Sequence, residues 1–206
     1  MKITPEELAD QGNYRHLLTL SYDELVPFIL EYIGRRTWLT MAFWAFCLLL
    51  AGLALTIRIQ IIGFFELKRI VFHSILGFVL LPVITIPLHE FLHIIPYYLA
   101  GARNIRVGMD PRQYLFYVTA HRQVAGQGLF RIVAIMPFAL ITIAAVILAF
   151  SLPGLWKWSL SAFLFVHSTM CAGDFALLNF YHVNRGKKIF TWDDADLKEA
   201  YFFQEL

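Results

Sequence analysis

Four long apolar stretches alternate with short polar ones along the 206 residues. Trp38 to Ile57 carries no charged side chain. At a rise of about 1.5 Å per residue, its roughly 20 residues are enough to cross a bilayer core as a helix. Arg58 ends it. A short connection, 59–69, carries Glu66, Lys68 and Arg69. Ile70 to Ala100 is a second apolar stretch, too long to cross once without tilt or a kink. Pro82, Pro87 and Pro96 supply kinks, because each removes a helix hydrogen bond. Ile132 to Phe150 is the third stretch and Ser159 to Val183 the fourth. Between them lies a tight loop, in which Trp156 and Trp158 are placed like an interfacial aromatic belt.

The polar segments predict smaller elements. Thr4-Pro5-Glu6-Glu7 reads as a helix start, with Thr4 the cap and Pro5 in the first turn. Ser21-Tyr22-Asp23-Glu24 is a capping box opening a short helix that bears Leu25, Phe28, Ile29, Tyr32 and Ile33. Gly101 to Arg131 is the most polar internal segment, with Arg103, Arg106, Arg112, Arg122 and Arg131. Within it, Tyr114 to Thr119 is rich in strand formers and follows a turn signal at Asp110-Pro111. Asn184 to Lys188 is basic, and Thr191-Trp192-Asp193-Asp194 reads as the cap of a last amphipathic helix with Leu197, Tyr201 and Phe202. The pattern therefore predicts an all-α integral membrane protein of about four transmembrane helices, with a short β-hairpin or small sheet between helices two and three. Residues 1–36 would be N-terminal interfacial helices. Residues 37–183 would be the transmembrane core, including the loop 101–131, and 184–206 a C-terminal tail helix. Lys and Arg concentrate in the N-terminal segment, the central loop and the tail, so the positive-inside rule sets both termini in the cytoplasm.

Composition sharpens this. Apolar residues make up 59% and charged residues 16%, against about half and a quarter in soluble domains. The expected partner is the lipid bilayer. A net charge of +2 gives no electrostatic footprint for nucleic acid. Cys47 and Cys171 both fall in apolar runs and read as buried small hydrophobes. Residues 1–36 have no short apolar core with a small-residue cleavage site, so no removable signal peptide is expected.

The chemistry concentrates at Leu88-His89-Glu90-Phe91-Leu92-His93. Two histidines four apart share one helix face and can hold one zinc ion, with Glu90 placed to act on a bound water as general base. Glu90 and Asp174 are the carboxylates inside the apolar stretches, and no Lys or Arg lies there. An unpartnered carboxylate in such a setting is costly, and a shared metal would account for both. Counting back from the cytoplasmic helix ends, His89, His93 and Asp174 lie roughly 16, 10 and 14 Å deep, so their depths match. His167, two turns before Asp174, and Asn179 just after it could support an oxyanion or orient a ligand.

The embedded His-Glu-x-x-His, the basic strand-like middle segment and Ala172-Gly173-Asp174-Phe175 in the last span resemble the membrane zincin peptidases. These are His-Glu-x-x-His membrane metalloproteases, distantly similar to the site-2 proteases. The resemblance implies that His89, His93 and Asp174 bind Zn2+ and that Glu90 is the catalytic base. It further implies an intramembrane metalloprotease that hydrolyses peptide bonds of membrane-associated protein or peptide substrates. Two rival readings use the same residues: a metal or proton transporter, and a catalytically silent zinc-binding membrane protein.

Overall fold

The computed structural model describes residues 3–110 and 115–206. Its first element is the one-turn helix α1 (Pro5–Leu8), capped by Thr4, whose hydroxyl accepts from the Glu7 amide. Strand β1 (Tyr14–Ser21) follows, where only helix was expected. A 3-10 turn then leads to α2 (Leu25–Gly34). Thr37 caps α3 (Trp38–Gln60), accepting from the Thr40 amide.

Helix α4 (Leu67–Ile75), a π-helical turn (Leu76–Leu80) and α5 (Leu81–Leu99) form one apolar run of 33 residues. The π turn has a local cause. Pro82 cannot donate to the carbonyl four residues back, at Phe78, and the wider turn spans that residue. It also lets the run pack tightly: a Cβ at Gly77 would stand 2.4 Å from the Ser159 carbonyl oxygen.

Strands β2 (Ile105–Asp110) and β3 (Leu115–Ala120) pair antiparallel. The turn signal at Asp110-Pro111 and the strand start at Tyr114 reach outside the described residues. A two-residue strand, β4 (Ala125–Gly126), precedes α6 (Gln127–Ser151). Helices α7 (Leu155–Met170) and α8 (Ala172–Val183) meet at Cys171 with a bend of 44°. The fourth apolar stretch is thus broken. Among the described residues, α3, α4–α5 and α6 are long and apolar enough to cross a membrane, and the bent pair α7–α8 makes a fourth if counted as one.

Two expectations are corrected here. The protein is mostly helical but not all-α, and its strands are not confined to the connection between the second and third long helices. The tail does not form a helix: β5 (Ile189–Asp194) and β6 (Glu199–Glu205) form an antiparallel hairpin. Asp194 does cap something, but it is a turn. Its Oδ1 accepts from the Asp196 and Leu197 amides at 3.0 and 3.1 Å, an Asp-stabilised turn that reverses the chain. Tyr201, Phe202 and Phe203 then suit a pleated, half-buried surface better than a helix face. The hairpin is completed by the far end of the chain, giving a four-stranded sheet in the order β1-β6-β5-β4. The β2–β3 hairpin is tied to it, because the Arg122 amide donates to the Asp193 carbonyl and the Ala195 amide to His121 Nδ1.

The sheet rests on the helices through Leu20, Phe28, Phe180, Tyr181, Ile189 and Phe202. A second cluster joins Leu92 of α5 to Leu50 of α3, Ile141 of α6 and Phe163 of α7. The outer faces of the long helices remain apolar, with Leu48 72% and Ile84 69% exposed.

Candidate metal centre

On α5, His89 and His93 stand one turn apart, their ring centroids separated by 5.0 Å. Asp174 comes from the first turn of α8, where a carboxylate is favoured by the helix dipole. The chain bends by 44° at Cys171, just before that turn. The side chains converge closely: His89 Nε2 lies 3.2 Å from Asp174 Oδ2, and His93 Nε2 lies 3.5 Å from Asp174 Oδ1. Ligand atoms about 2.0–2.2 Å from a tetrahedral zinc stand roughly 3.3 Å apart, and the two imidazole-to-carboxylate separations lie on either side of that value, each through a different carboxylate oxygen. Glu90 offers an oxygen within 4.8 Å of donor atoms on both histidines.

His93 is held by α6. Its Nδ1 is 2.9 Å from the Val133 carbonyl oxygen. A carbonyl only accepts, so Nδ1 carries the proton and the Nε2 lone pair is left facing Asp174.

His167 joins this group from α7. It is 2% exposed, its ring centroid is 5.7 Å from that of His89, and its Nδ1 has no hydrogen-bond partner among the described residues. His89, His167 and Cys171 also offer donor atoms within 4.8 Å of one another. Asn179 does not join, which corrects the expectation that it supports an oxyanion or a ligand. It lies about 140° around the helix from Asp174. Its side-chain oxygen accepts from the Thr37 hydroxyl and its nitrogen donates to the Tyr32 carbonyl, both at 2.7 Å. The amide is spent on tying α8 to the α2–α3 junction.

Two cavities flank the centre. The smaller, about 160 Å³, is bounded by Pro82, Thr85, His89, Glu90 and His167. The larger, about 440 Å³, contains His89, Glu90, His93 and Asp174 in its wall and runs on to the four-stranded sheet. Phe116, Tyr117, Val118 and Thr119 of β3 all line it. Successive strand side chains point to opposite faces, so four in a row means that the strand edge fronts the cavity. Among the described residues, the backbone of this stretch pairs only with β2.

Local rules make Asp193 part of a helix cap, and nothing in the sequence around it signals a place in the cavity wall. It lies on β5 in the wall of the larger cavity, beside the Thr119 hydroxyl. Burial pushes its carboxyl up to about 6, with Thr119 opposing the shift. The folded state therefore binds more protons than the unfolded one between about pH 4 and 6, and stability falls as pH rises through that window. Asp193→Asn is expected to stabilise the protein at pH 7.5 by up to about 3 kcal/mol. The gain should shrink toward zero near pH 4, as read by denaturant titration in detergent at both pH values. An equal gain at both would show that ionisation is not its source.

A family model described as "Putative zincin peptidase" matches residues 82–185, about half of the chain. The match takes in His89, Glu90, His93, His167 and Asp174. No curated protein and no solved structure matches the chain.

Proposed function

The chain belongs to that zincin peptidase family, and from this premise we propose that it is an intramembrane zinc metalloprotease. The observation that carries the reading is the convergence of His89, His93 and Asp174 from two helices far apart in sequence. These three would hold the ion, with His93 oriented by Val133. Bound zinc would supply a Lewis acid for the scissile carbonyl and bring the pKa of its water toward about 7. Glu90 takes the proton of the attacking water and delivers it to the leaving amine. His167, buried beside His89, is the candidate donor to the developing oxyanion.

The peptide bonds of a helix are shielded by its own hydrogen bonding and side chains, so the substrate must be extended. The β3 edge beside the centre offers main-chain hydrogen bonds to such a segment, as in strand addition to a sheet.

A membrane setting is supported by the apolar outer faces of the long helices, which exceed what water-exposed surfaces usually carry. The sheet supports the topology. β1, the 121–126 segment and the β5–β6 hairpin are joined by backbone hydrogen bonds, so they lie on one side of any bilayer. This requires an even number of crossings between the N-terminal segment, the central loop and the tail, as four spans provide. The basic residues of these three segments favour the cytoplasmic side.

The test is metal content together with cleavage. Protein purified in mild detergent is expected to hold about one zinc per chain and to cut an extended peptide, to lose cleavage on chelation and to regain it when zinc is restored. Zinc-free protein in which His93→Ala alters ion flux across vesicles would replace this reading with a transporter.

A further inference from the structure

The larger cavity has two chemically different ends. One carries the candidate metal centre. The other is floored by the inner face of the four-stranded sheet, where Thr191 and Asp193 alternate along β5 while Ala200 and Phe202 sit opposite them on β6. Period-2 alternation puts Trp192 on the other face, where its ring stacks on Tyr201. Among the described residues that line the cavity, Asp193 is thus the one charged group on that floor. Its direct cross-strand partner is Ala200, a small residue that lines the same cavity. Among the described residues that line the cavity there is no lysine or arginine, and the other carboxylates, Glu90 and Asp174, belong to the metal centre. The Thr119 hydroxyl lies beside Asp193, and the phenols of Tyr22 and Tyr181 lie within electrostatic range. The walls leading to it are aliphatic and aromatic: Leu20, Ile29, Phe130 and Leu177.

We propose that Asp193 is the anchor of a substrate subsite for a basic side chain, lysine or arginine, carried by the extended peptide that reaches the metal centre. This deepens the peptidase reading and rests on it. The arrangement suits an amphipathic cation. The long methylene stem of such a residue can lie along the apolar walls while its head meets the carboxylate. A lone buried carboxylate is costly unless it is paired, and this cavity contributes no cation of its own. Phe116 to Thr119 would set the register, because a strand added at the β3 edge directs alternate side chains to one face. One carboxylate with hydroxyl neighbours is too few ligands for a divalent cation, which leaves an organic cation as the matching chemistry. An ammonium could also come from the peptide's own N-terminus, and the experiment separates the two.

The probes are hexapeptides blocked at both ends, with lysine scanned through each position against norleucine, which keeps the stem and removes the charge. A second set has a free N-terminus and norleucine only. Binding is measured to zinc-loaded Glu90→Gln protein in detergent, so that turnover does not intervene, and to the same protein with Asp193→Asn or Asp193→Ser. At one position lysine is expected to bind about tenfold tighter than norleucine, and that gain should fall below about twofold in both Asp193 variants. Equal binding of lysine and norleucine at every position, or a lysine preference that survives both variants, overturns the subsite. A gain seen only with the free N-terminus overturns the side-chain assignment. Wild-type protein is then given the same peptides. A lysine preference in binding with no cleavage of any peptide would sink the peptidase reading and leave the subsite standing. Cleavage with no lysine preference would do the reverse.

Discussion

Glu90→Gln is expected to cut peptide hydrolysis by about 10³-fold or more while zinc stays near one per chain. The substitution keeps the size and polarity of the side chain but removes its ability to accept a proton. General base catalysis by a positioned side chain contributes about 10²–10⁴-fold. In the proposed mechanism the same group also returns the proton to the leaving amine, which places the expected loss in the upper part of that range. His89, His93 and Asp174 are untouched, and Glu90 borders both cavities instead of filling a packed core. Binding of the metal should therefore persist. Steady-state cleavage rates beside elemental analysis of the same preparation give the answer. A Glu90→Gln protein with wild-type turnover would show that the proton is taken elsewhere.

Asp174→Ala is expected to do the opposite, with the metal lost and activity lost as a consequence. Asp174 is the link through which α8 meets the two imidazoles of α5. Without it, two histidines on a single helix remain, short of the three protein ligands that a catalytic zinc site keeps. Removing an outer hydrogen-bond partner of a ligand costs 10–100-fold in metal affinity, and removing a ligand should exceed the top of that range. After dialysis against a weak chelator, Asp174→Ala should retain only a trace of zinc. Asp193→Asn, on the sheet side of the same cavity, should keep its full complement. Zinc held equally by both variants would mean that Asp174 is not a ligand, and His167 with Cys171 would then be the next donors to test.

Asp174 and Asn179 differ in how far local sequence foretells their surroundings. Both are polar residues in the last apolar stretch, and both invite a role at the centre. Asp174 stands within reach of both imidazoles, just after the break at Cys171. Asn179 is turned toward Thr37 and Tyr32, partners well over a hundred residues away that no local pattern reveals. Likewise, Asp193 and Asp194 look like a helix cap to local rules, since Asp favours both helix caps and turns. What makes them a turn and a cavity floor is β1, at the other end of the chain.

By itself, the sequence determined the long apolar helices and the His-Glu-x-x-His face. Helix hydrogen bonds close within four residues, and one face repeats every 3.6, so both are written locally. It also pointed to Asp174, because a carboxylate in an apolar run stands out wherever it folds. Only the tertiary structure decided that the two chain ends and the 125–126 strand share a sheet, that β3 lines the cavity beside His89, His93 and Asp174, and that Asp193 faces the same cavity. Strand pairing joins residues across any sequence distance, so its partners, and the chemistry they enclose, exist only once the chain has closed on itself.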